Sequence, residues 1–562
     1  MSGVPIQRRT LLAATAGAAM TGCTPDGQRP TAVPMAWVGA GQDRGQPRGH
    51  RLRSAAALPL PAVQRHANVL VLGGGIAGLA AARGLMRRGV QDVQVLEMED
   101  SIGGNSRGHL LAGIACPLGA HYLPVPDEHG PAREVAEWLY EIGLLRHELG
   151  RSVADERHLC HSPQERLFIE GAWAEGLLPP VDRGSAAATQ MRRFAQAVTT
   201  LARTGAATGA AKGAATGAAK AARRAPAFAL PAHRSAWGPV QAALDNITFA
   251  HWLDSQGFTD PHLRWYLDYG CRDDYGADAA TVSAWAGVHY FASRHGFHAP
   301  GDMDTDTHTD SERDAVFTWP DGNAWLAQRL AAPLLEGGAG RISSGQTVLR
   351  VTGNKHAVQV LAWNESSAQL EGWTAQQVVL ALPLMVAARV LESPPQALQE
   401  ATALLSYAPW LVANLHLPEP LLARPGAAPA WDNVIYGSSG LGYVDAMHQS
   451  LRPVPGATVL TAYHALPRSQ RAALLASDPR AAAQRVLNDL QTAHPDIHRR
   501  VQRVDLMRWG HAMVIPQPGL QRHPALMALR AQRGRVRFAH ADLAGYSVFE
   551  EAFTAGCDAA LP

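Results

Sequence analysis

The residues of this chain best suited to chemistry form a cradle for phosphate. Asn68-Val69-Leu70-Val71-Leu72 is an apolar, β-branched run that ends in Gly73-Gly74-Gly75 and passes into the Ala-rich stretch Ile76-Ala77-Gly78-Leu79-Ala80-Ala81-Ala82-Arg83. Gly73, Gly75 and Gly78 have G-x-G-x-x-G spacing. The first permits a tight turn, the second lets backbone approach a pyrophosphate, and the third lets a helix pack closely on its strand. The helix start at Ile76 and Ala77 then turns bare N–H groups and partial positive charge toward the phosphates. A second strand, Val93-Gln94-Val95-Leu96, ends in Glu97, about 20 residues on, where an acid binds ribose hydroxyls. The spacing predicts an adenine dinucleotide site.

Other residues could act on a substrate. Trp265 to Gly276 interleaves aromatics with Asp268, Asp273 and Asp274. Tyr269 and Asp273 are the pair expected there to cage and pair a cationic amine; the same run also reads as an amphipathic helix end with an internal Arg272 salt bridge. Trp285, His289 and Tyr290 recur at helical spacing and read as a core stripe. His511 and His121 carry imidazoles able to serve as bases near neutral pH.

A second glycine pair follows the acid, in Glu97-Met98-Glu99-Asp100-Ser101-Ile102-Gly103-Gly104-Asn105-Ser106-Arg107-Gly108. Far downstream, Arg535-Val536-Arg537-Phe538-Ala539-His540-Ala541-Asp542 reads as a strand ending in an acid, and Gly545 to Gly556 as a loop feeding a helix. Together these motifs resemble the flavin-containing amine oxidase and phytoene desaturase superfamily, which binds FAD in an extended pose. The resemblance implies that Glu97, next to Met98, holds the adenosine ribose and that Gly103-Gly104, with Asn105, Ser106 and Arg107, passes beside the pyrophosphate. It implies that the Val348 backbone contacts adenine and that Asp542 bonds the ribityl chain. The Val548–Phe549 backbone would lie by the flavin, the helix N-terminus stabilising negative charge on the reduced ring. Three positions depart from the family pattern: Asn105 stands where an arginine is usual, with Arg107 two residues later, and His540 and Glu551 replace glycines. Trp509-Gly510-His511-Ala512-Met513-Val514-Ile515-Pro516 is similar to the family strand near the flavin face, which makes Trp509 and His511 catalytic candidates. Many amine oxidases of the family set a lysine beside flavin N5. This chain has only Lys212, Lys220 and Lys355, and Tyr407 to His416, where that lysine is expected, has none. The acceptor is therefore open between O2 and a quinone or protein.

These residues require an α/β architecture. The resemblance implies a Rossmann-like FAD-binding domain, a parallel sheet plus β-meander, interleaved with an α+β substrate domain. The FAD-binding domain is expected over 63–128, 316–404 and 506–562, and the substrate domain over 129–315, mostly helical, and 405–505. Within the latter, 204–225 is a low-complexity insert of Thr-Gly-Ala-Ala and Lys-Gly-Ala-Ala units. Lys355 falls in a hairpin turn at Gly353-Asn354-Lys355. A chain of 562 residues exceeds one hydrophobic core. Its 47% apolar and 17% charged content is ordinary for a globular protein. A net charge of +2 argues against a nucleic-acid footprint. Cys116, Cys160, Cys271 and Cys557 form no C-x-x-C, so no metal site is expected; they are free thiols, or one pair is oxidised.

The N-terminus reads as an address. Gln7-Arg8-Arg9-Thr10-Leu11-Leu12 is a twin-arginine start, and Met20-Thr21-Gly22-Cys23 resembles a lipobox, so residues 1–23 are expected to be a signal with lipid attached at Cys23. Residues 24–62, rich in Pro, Gly and Arg, read as a tether. The expected product is an exported, membrane-anchored periplasmic FAD-dependent oxidoreductase acting on a small amine, a polyamine for example, or on an amphiphile. Two other functions fit less directly: desaturation or isomerisation of an apolar lipid, and a flavoprotein without turnover in an envelope complex.

Overall fold

Runs buried on both faces make near-continuous apolar strands, and the chain builds its first sheet from them. Leu70, Val71, Leu72, Val93 and Val95 are all fully buried. In the computed structural model, Ile342–Ser343, Val93–Leu96, Val63–Leu72 and Gln369–Leu380 lie side by side and parallel. Gln369–Leu380 then changes partners along its length. Its first half pairs antiparallel with Val358–Asn364, which pairs with Gln346–Gly353 to complete a meander, while Val378–Leu380 pairs parallel with Val536–Phe538. Lys355 lies in the meander turn, as expected. Helices Ile76–Arg87, Ala324–Leu335 and Phe549–Ala559 bury one face of the sheet, and Leu384–Val390, Gln396–Leu404 and Pro524–Ala531 the other.

The structure describes residues 33–39, 48–53, 59–128, 130–204, 225–294, 296–300, 315–336, 340–450 and 455–562. The chain divides into Met1–Val33 and Pro34–Pro562, and the second unit is the one described. The signal motifs, Cys23, Lys212, Lys220 and nearly all of the 204–225 insert lie outside the described residues.

A second, eight-stranded sheet runs Met35–Trp37, Arg503–Val514, Tyr407–Leu417, Thr458–Ala465, Tyr443–Asp445, Asp432–Ile435, Glu165–Ile169, Ala172–Glu175. Arg503–Val514 crosses the boundary expected at 505/506 and belongs wholly to this sheet. Two further expectations are corrected. The 24–62 stretch contributes the edge strand Met35–Trp37 and the turn Arg48–Arg53, because Trp37 is buried and stacks under Arg508; three strand residues are too few for a periodic signal. The 129–315 region opens with the helix Arg133–Glu141 and then runs through short strands between Leu145 and Glu175 before its remaining helices begin at Ala186.

Helices Ala186–Thr204, Phe249–Ser255, Pro261–Tyr275 and Ala284–Ala292 pack with this sheet around Phe194, Phe249, Trp285, Trp410 and Tyr463. Local sequence sets their ends. Asp260 accepts the Leu263 N–H at 2.9 Å and Pro261 opens the helix, which stops at Gly276 with φ +69°. Ser283 starts the next helix by accepting the Ala286 N–H at 3.2 Å. Trp285 and His289 form the expected core stripe, His289 bonding the Ala229 carbonyl at 2.7 Å.

Candidate active site

The glycine turn has the shape its spacing demands. Gly73 adopts φ +106°, and a Cβ there would lie 2.4 Å from the Ala381 carbonyl oxygen. A Cβ on Gly78 would lie 1.9 Å from the Gly73 oxygen, so the helix touches its strand only without one. Gly75 precedes the first turn of Ile76–Arg87 without a side-chain cap, leaving that turn's N–H groups to a ligand. Glu97 closes the turn from the next strand: Oε2 accepts the Gly74 N–H at 2.6 Å and Oε1 the Glu99 N–H at 2.8 Å. Burial raises its pKa, against those two N–H groups and Arg107. Met98 borders the turn Arg48–Arg53, whose Arg48 donates to the Met98 carbonyl at 2.9 Å. Val348, buried, begins a register shift in the meander.

The second glycine pair abuts the first. Gly75 and Gly103 form an isolated parallel bridge, and a Cβ on Gly104 would come within 3.2 Å of the Gly75 Cα. Ser106 is buried beneath, its N–H on the Gly103 carbonyl at 2.9 Å. Asn105 is exposed and donates to the Ala512 carbonyl at 2.6 Å. Arg107 turns inward: it is 4% exposed, pairs with Glu99 at 2.7 Å and lies 5.1 Å over the Trp509 ring. Trp509 in turn donates Nε1–H to the Leu118 carbonyl at 2.7 Å.

At the far end, Asp542 Oδ2 accepts the Tyr407 hydroxyl at 2.6 Å and the Leu384 N–H at 2.8 Å. While His540 is neutral its Nδ1 accepts the Asp542 N–H and Oδ1, 3.0 Å away, has no hydrogen-bond donor; a protonated His540 pairs with Oδ1 instead. Burial pushes the carboxyl up, but His540, Tyr407 and Leu384 together hold it below the ordinary aspartate value. That orphaned oxygen suits a sugar-alcohol hydroxyl. Val548 caps Phe549–Ala559 without a side-chain bond, so N–H groups are free at that helix start too. The Glu551 departure has a structural reason: fully buried, it accepts the Ala232 N–H and the Tyr546 hydroxyl, tying the closing helix to the helical layer.

A second group of side chains meets under the other sheet. His121 stacks on Tyr463 at 4.5 Å and lies near Trp431 at 5.4 Å; Tyr122 meets Trp431 edge-on at 6.2 Å. The Tyr463 hydroxyl donates to the Gly119 carbonyl at 3.0 Å. Asp432, next to Trp431, is the register partner of Glu165 on the adjacent parallel strand. Asp273 faces the same compartment: burial, then the Asp274 carboxylate, push its pKa up to about 7, with Glu165 adding to the rise. Burial and then Asp273 and Glu165 also raise the pKa of Asp432. Asp274 is held by Arg294 at 2.8 Å and Arg272 by Asp268 at 3.1 Å, so neither Asp273 nor Asp432 has an ion-pair partner among the described residues. Tyr269 is buried on the same helix, stacked on Trp265 and kept neutral by burial and by Asp432 and Asp273.

Residues 76–561 match the family described as flavin containing amine oxidoreductase. The chain belongs to that family. Its cofactor is FAD and it is an FAD-dependent oxidoreductase. The fold is that of putrescine oxidase bound to putrescine (TM-score 0.60, 17% identity, 88% of this chain and 98% of that one). It is likewise that of the cyclohexylamine oxidase of Brevibacterium oxydans IH-35A (TM-score 0.58, 17% identity, the same coverage). Shorter stretches align with a Streptomyces coelicolor Baeyer-Villiger monooxygenase, 38% identical over 90 residues, and with Oryza sativa polyamine oxidase 7, 36% identical over 73 residues. These cover 16% and 13% of this chain, and only 14% and 15% of those relatives' lengths.

In this flavin amine oxidoreductase the candidate residues fall into two groups. Asp273 and Tyr269 come together, with Asp432, Glu165, Tyr122 and Tyr463, which sequence reasoning did not select; they converge from distant strands, and no local spacing marks them. His511 stands apart, edge-on to Tyr407 at 5.6 Å. Burial and then Arg471 and Arg389 depress its pKa to about 4. His121 is also depressed to about 4, by burial. Glu550, pushed up to about 7 chiefly by burial, was hidden because an acid in a helix's first turn reads as a cap. The four thiols Cys116, Cys160, Cys271 and Cys557 are free. No cluster of metal-ligating side chains occurs among the described residues.

Proposed function

We propose that this oxidoreductase removes a hydride from the carbon next to the nitrogen of a small primary amine, with a diamine or polyamine as the best fit. The observation that carries the reading is the meeting of the unpaired carboxylates Asp273 and Asp432 with the rings of His121, Tyr122, Trp431 and Tyr463. Rings and carboxylates are the two groups that attract an ammonium in a water-poor site. FAD supplies the hydride-accepting ring. The chain's own part is to hold the amine and discharge it: an ammonium must lose a proton before its C–H electron pair can leave and a C=N bond form. Asp273, titrating at about 7, is the base with a matched pKa; His511 and His121, depressed to about 4, are weaker ones.

Anaerobic mixing of the purified protein with diamines, amino acids and isoprenoids tests this. Bleaching of the flavin band by putrescine-like diamines is expected, and bleaching by isoprenoids alone would overturn it. Peroxide yield in air separates O2 from a quinone or protein acceptor.

We also infer export by the twin-arginine route and lipid attachment at Cys23, a reading supported by Arg8-Arg9 and Met20-Thr21-Gly22-Cys23. Cys23→Ala should shift the protein from the membrane to the soluble fraction; unchanged fractionation would remove the anchor.

A further inference from the structure

The FAD diphosphate needs counter-charge, and the glycine-pair loop does not provide it. Asn105 is uncharged and donates to Ala512. Arg107 is buried, with Nη1 on Glu99 at 2.7 Å and Nε on the Gly104 carbonyl at 3.2 Å. The Asn105–Ala512 bond instead joins the loop to Arg503–Val514, and beside that strand the surroundings become cationic. Arg471 Nε lies 3.7 Å from where a Cβ on Gly510 would stand, and it is buried with no hydrogen-bond partner. Arg468 donates to Ser406 Oγ at 3.3 Å, next to Tyr407, whose ring meets His511 and whose hydroxyl reaches Asp542. Arg53 ends the turn whose Arg48 grips the Met98 carbonyl, one residue past Glu97. Arg389 lies in the last turn of the helix Leu384–Val390, and the Leu384 N–H holds Asp542.

Burial, then the charges of Arg468 and Arg53, pull the Arg471 guanidinium below its ordinary value. Arg471 and Arg389 also act on His511, after burial. Arg53, Arg389, Arg468 and Arg471 make no ion pair among the described residues, whereas Arg107, Arg272 and Arg294 each have a carboxylate. Gathering like charges around a half-buried guanidinium is costly unless an anion joins them.

We propose that Arg471, flanked by Arg53 and Arg389, supplies the counter-charge for the FAD diphosphate from the strand side of the site, replacing the arginine that Asn105 displaces. The inference rests on FAD as cofactor and not on the amine reading. FAD release from the full-length holoenzyme, followed as the rise in flavin fluorescence after dilution, tests it without turnover. Arg471→Gln should release FAD about tenfold faster or more, as loss of a charge-assisted phosphate bond implies. Arg471→Lys, which keeps the charge, should stay near the wild-type rate. Adding Asn105→Arg to Arg471→Gln should slow release again. Should Arg471→Gln not fold, the exposed pair Arg53→Gln and Arg389→Gln carries the test, with about threefold faster release expected. A wild-type release rate in these variants, or no rescue by Asn105→Arg, overturns the proposal. So does inorganic pyrophosphate binding to fully loaded holoenzyme in an Arg471-dependent manner, since the arginines would then hold a different anion.

Discussion

The cofactor turn and the amine compartment are built on opposite principles. At Gly73, Gly78, Gly103 and Gly104 the backbone itself is the site, and side chains are excluded by contacts as short as 1.9 Å. In the compartment nearly everything is side chain, brought from Gly119–Tyr122, Glu165, the 261–275 helix, Trp431–Asp432 and Tyr463. A backbone site leaves no room for a side chain at its glycines. A side-chain site can be altered one charge at a time, and each change speaks to one substrate.

That contrast can be broken at several points. Gly73→Ala should have the largest effect: its Cβ meets the Ala381 oxygen at 2.4 Å in a left-handed turn, and the protein should purify without FAD absorbance. Retained FAD would mean that the turn yields and the backbone is not the site. Glu97→Gln should weaken FAD affinity by roughly tenfold to a hundredfold, since one amide oxygen replaces two carboxylate acceptors. Equilibrium dialysis checks this, and an unchanged affinity removes Glu97 from the ribose contact. Tyr463→Phe, which loses only the bond to the Gly119 carbonyl, should cost about 1 kcal/mol of stability in a denaturant titration. FAD content should be untouched, and the stacking on His121 should persist.

The same contrast explains what the sequence disclosed. Gly73-Gly75-Gly78, Glu97 and Gly103-Gly104 lie within one βαβ unit, where spacing along the chain is spacing in the molecule. The βαβ start of the parallel sheet followed from those motifs, the closing helix from the separate Gly545–Gly556 segment, and the meander from the family resemblance. Asp273 and Tyr269 were visible because they share one helix, and Asp432 and Glu165 were not, because only strand pairing brings them together. Arg107, two residues after Asn105, is buried against Glu99 and Trp509, contacts that no local pattern reports. His511 sat on the expected strand, yet its neighbours are arginines from the 468–471 turn and the Leu384–Val390 helix.

The central claim is that Asp273 takes the proton of a bound amine, and stopped-flow reduction of the bound flavin by a diamine across pH tests it most directly. A base must be unprotonated to act, and burial raises Asp273 to about 7. The reduction rate should therefore rise with pH through that value in the wild-type protein. In Asp273→Asn the limb should vanish, with reduction slowed about a hundredfold or more and FAD content unchanged. A wild-type rate and an intact limb near pH 7 in Asp273→Asn would contradict the account.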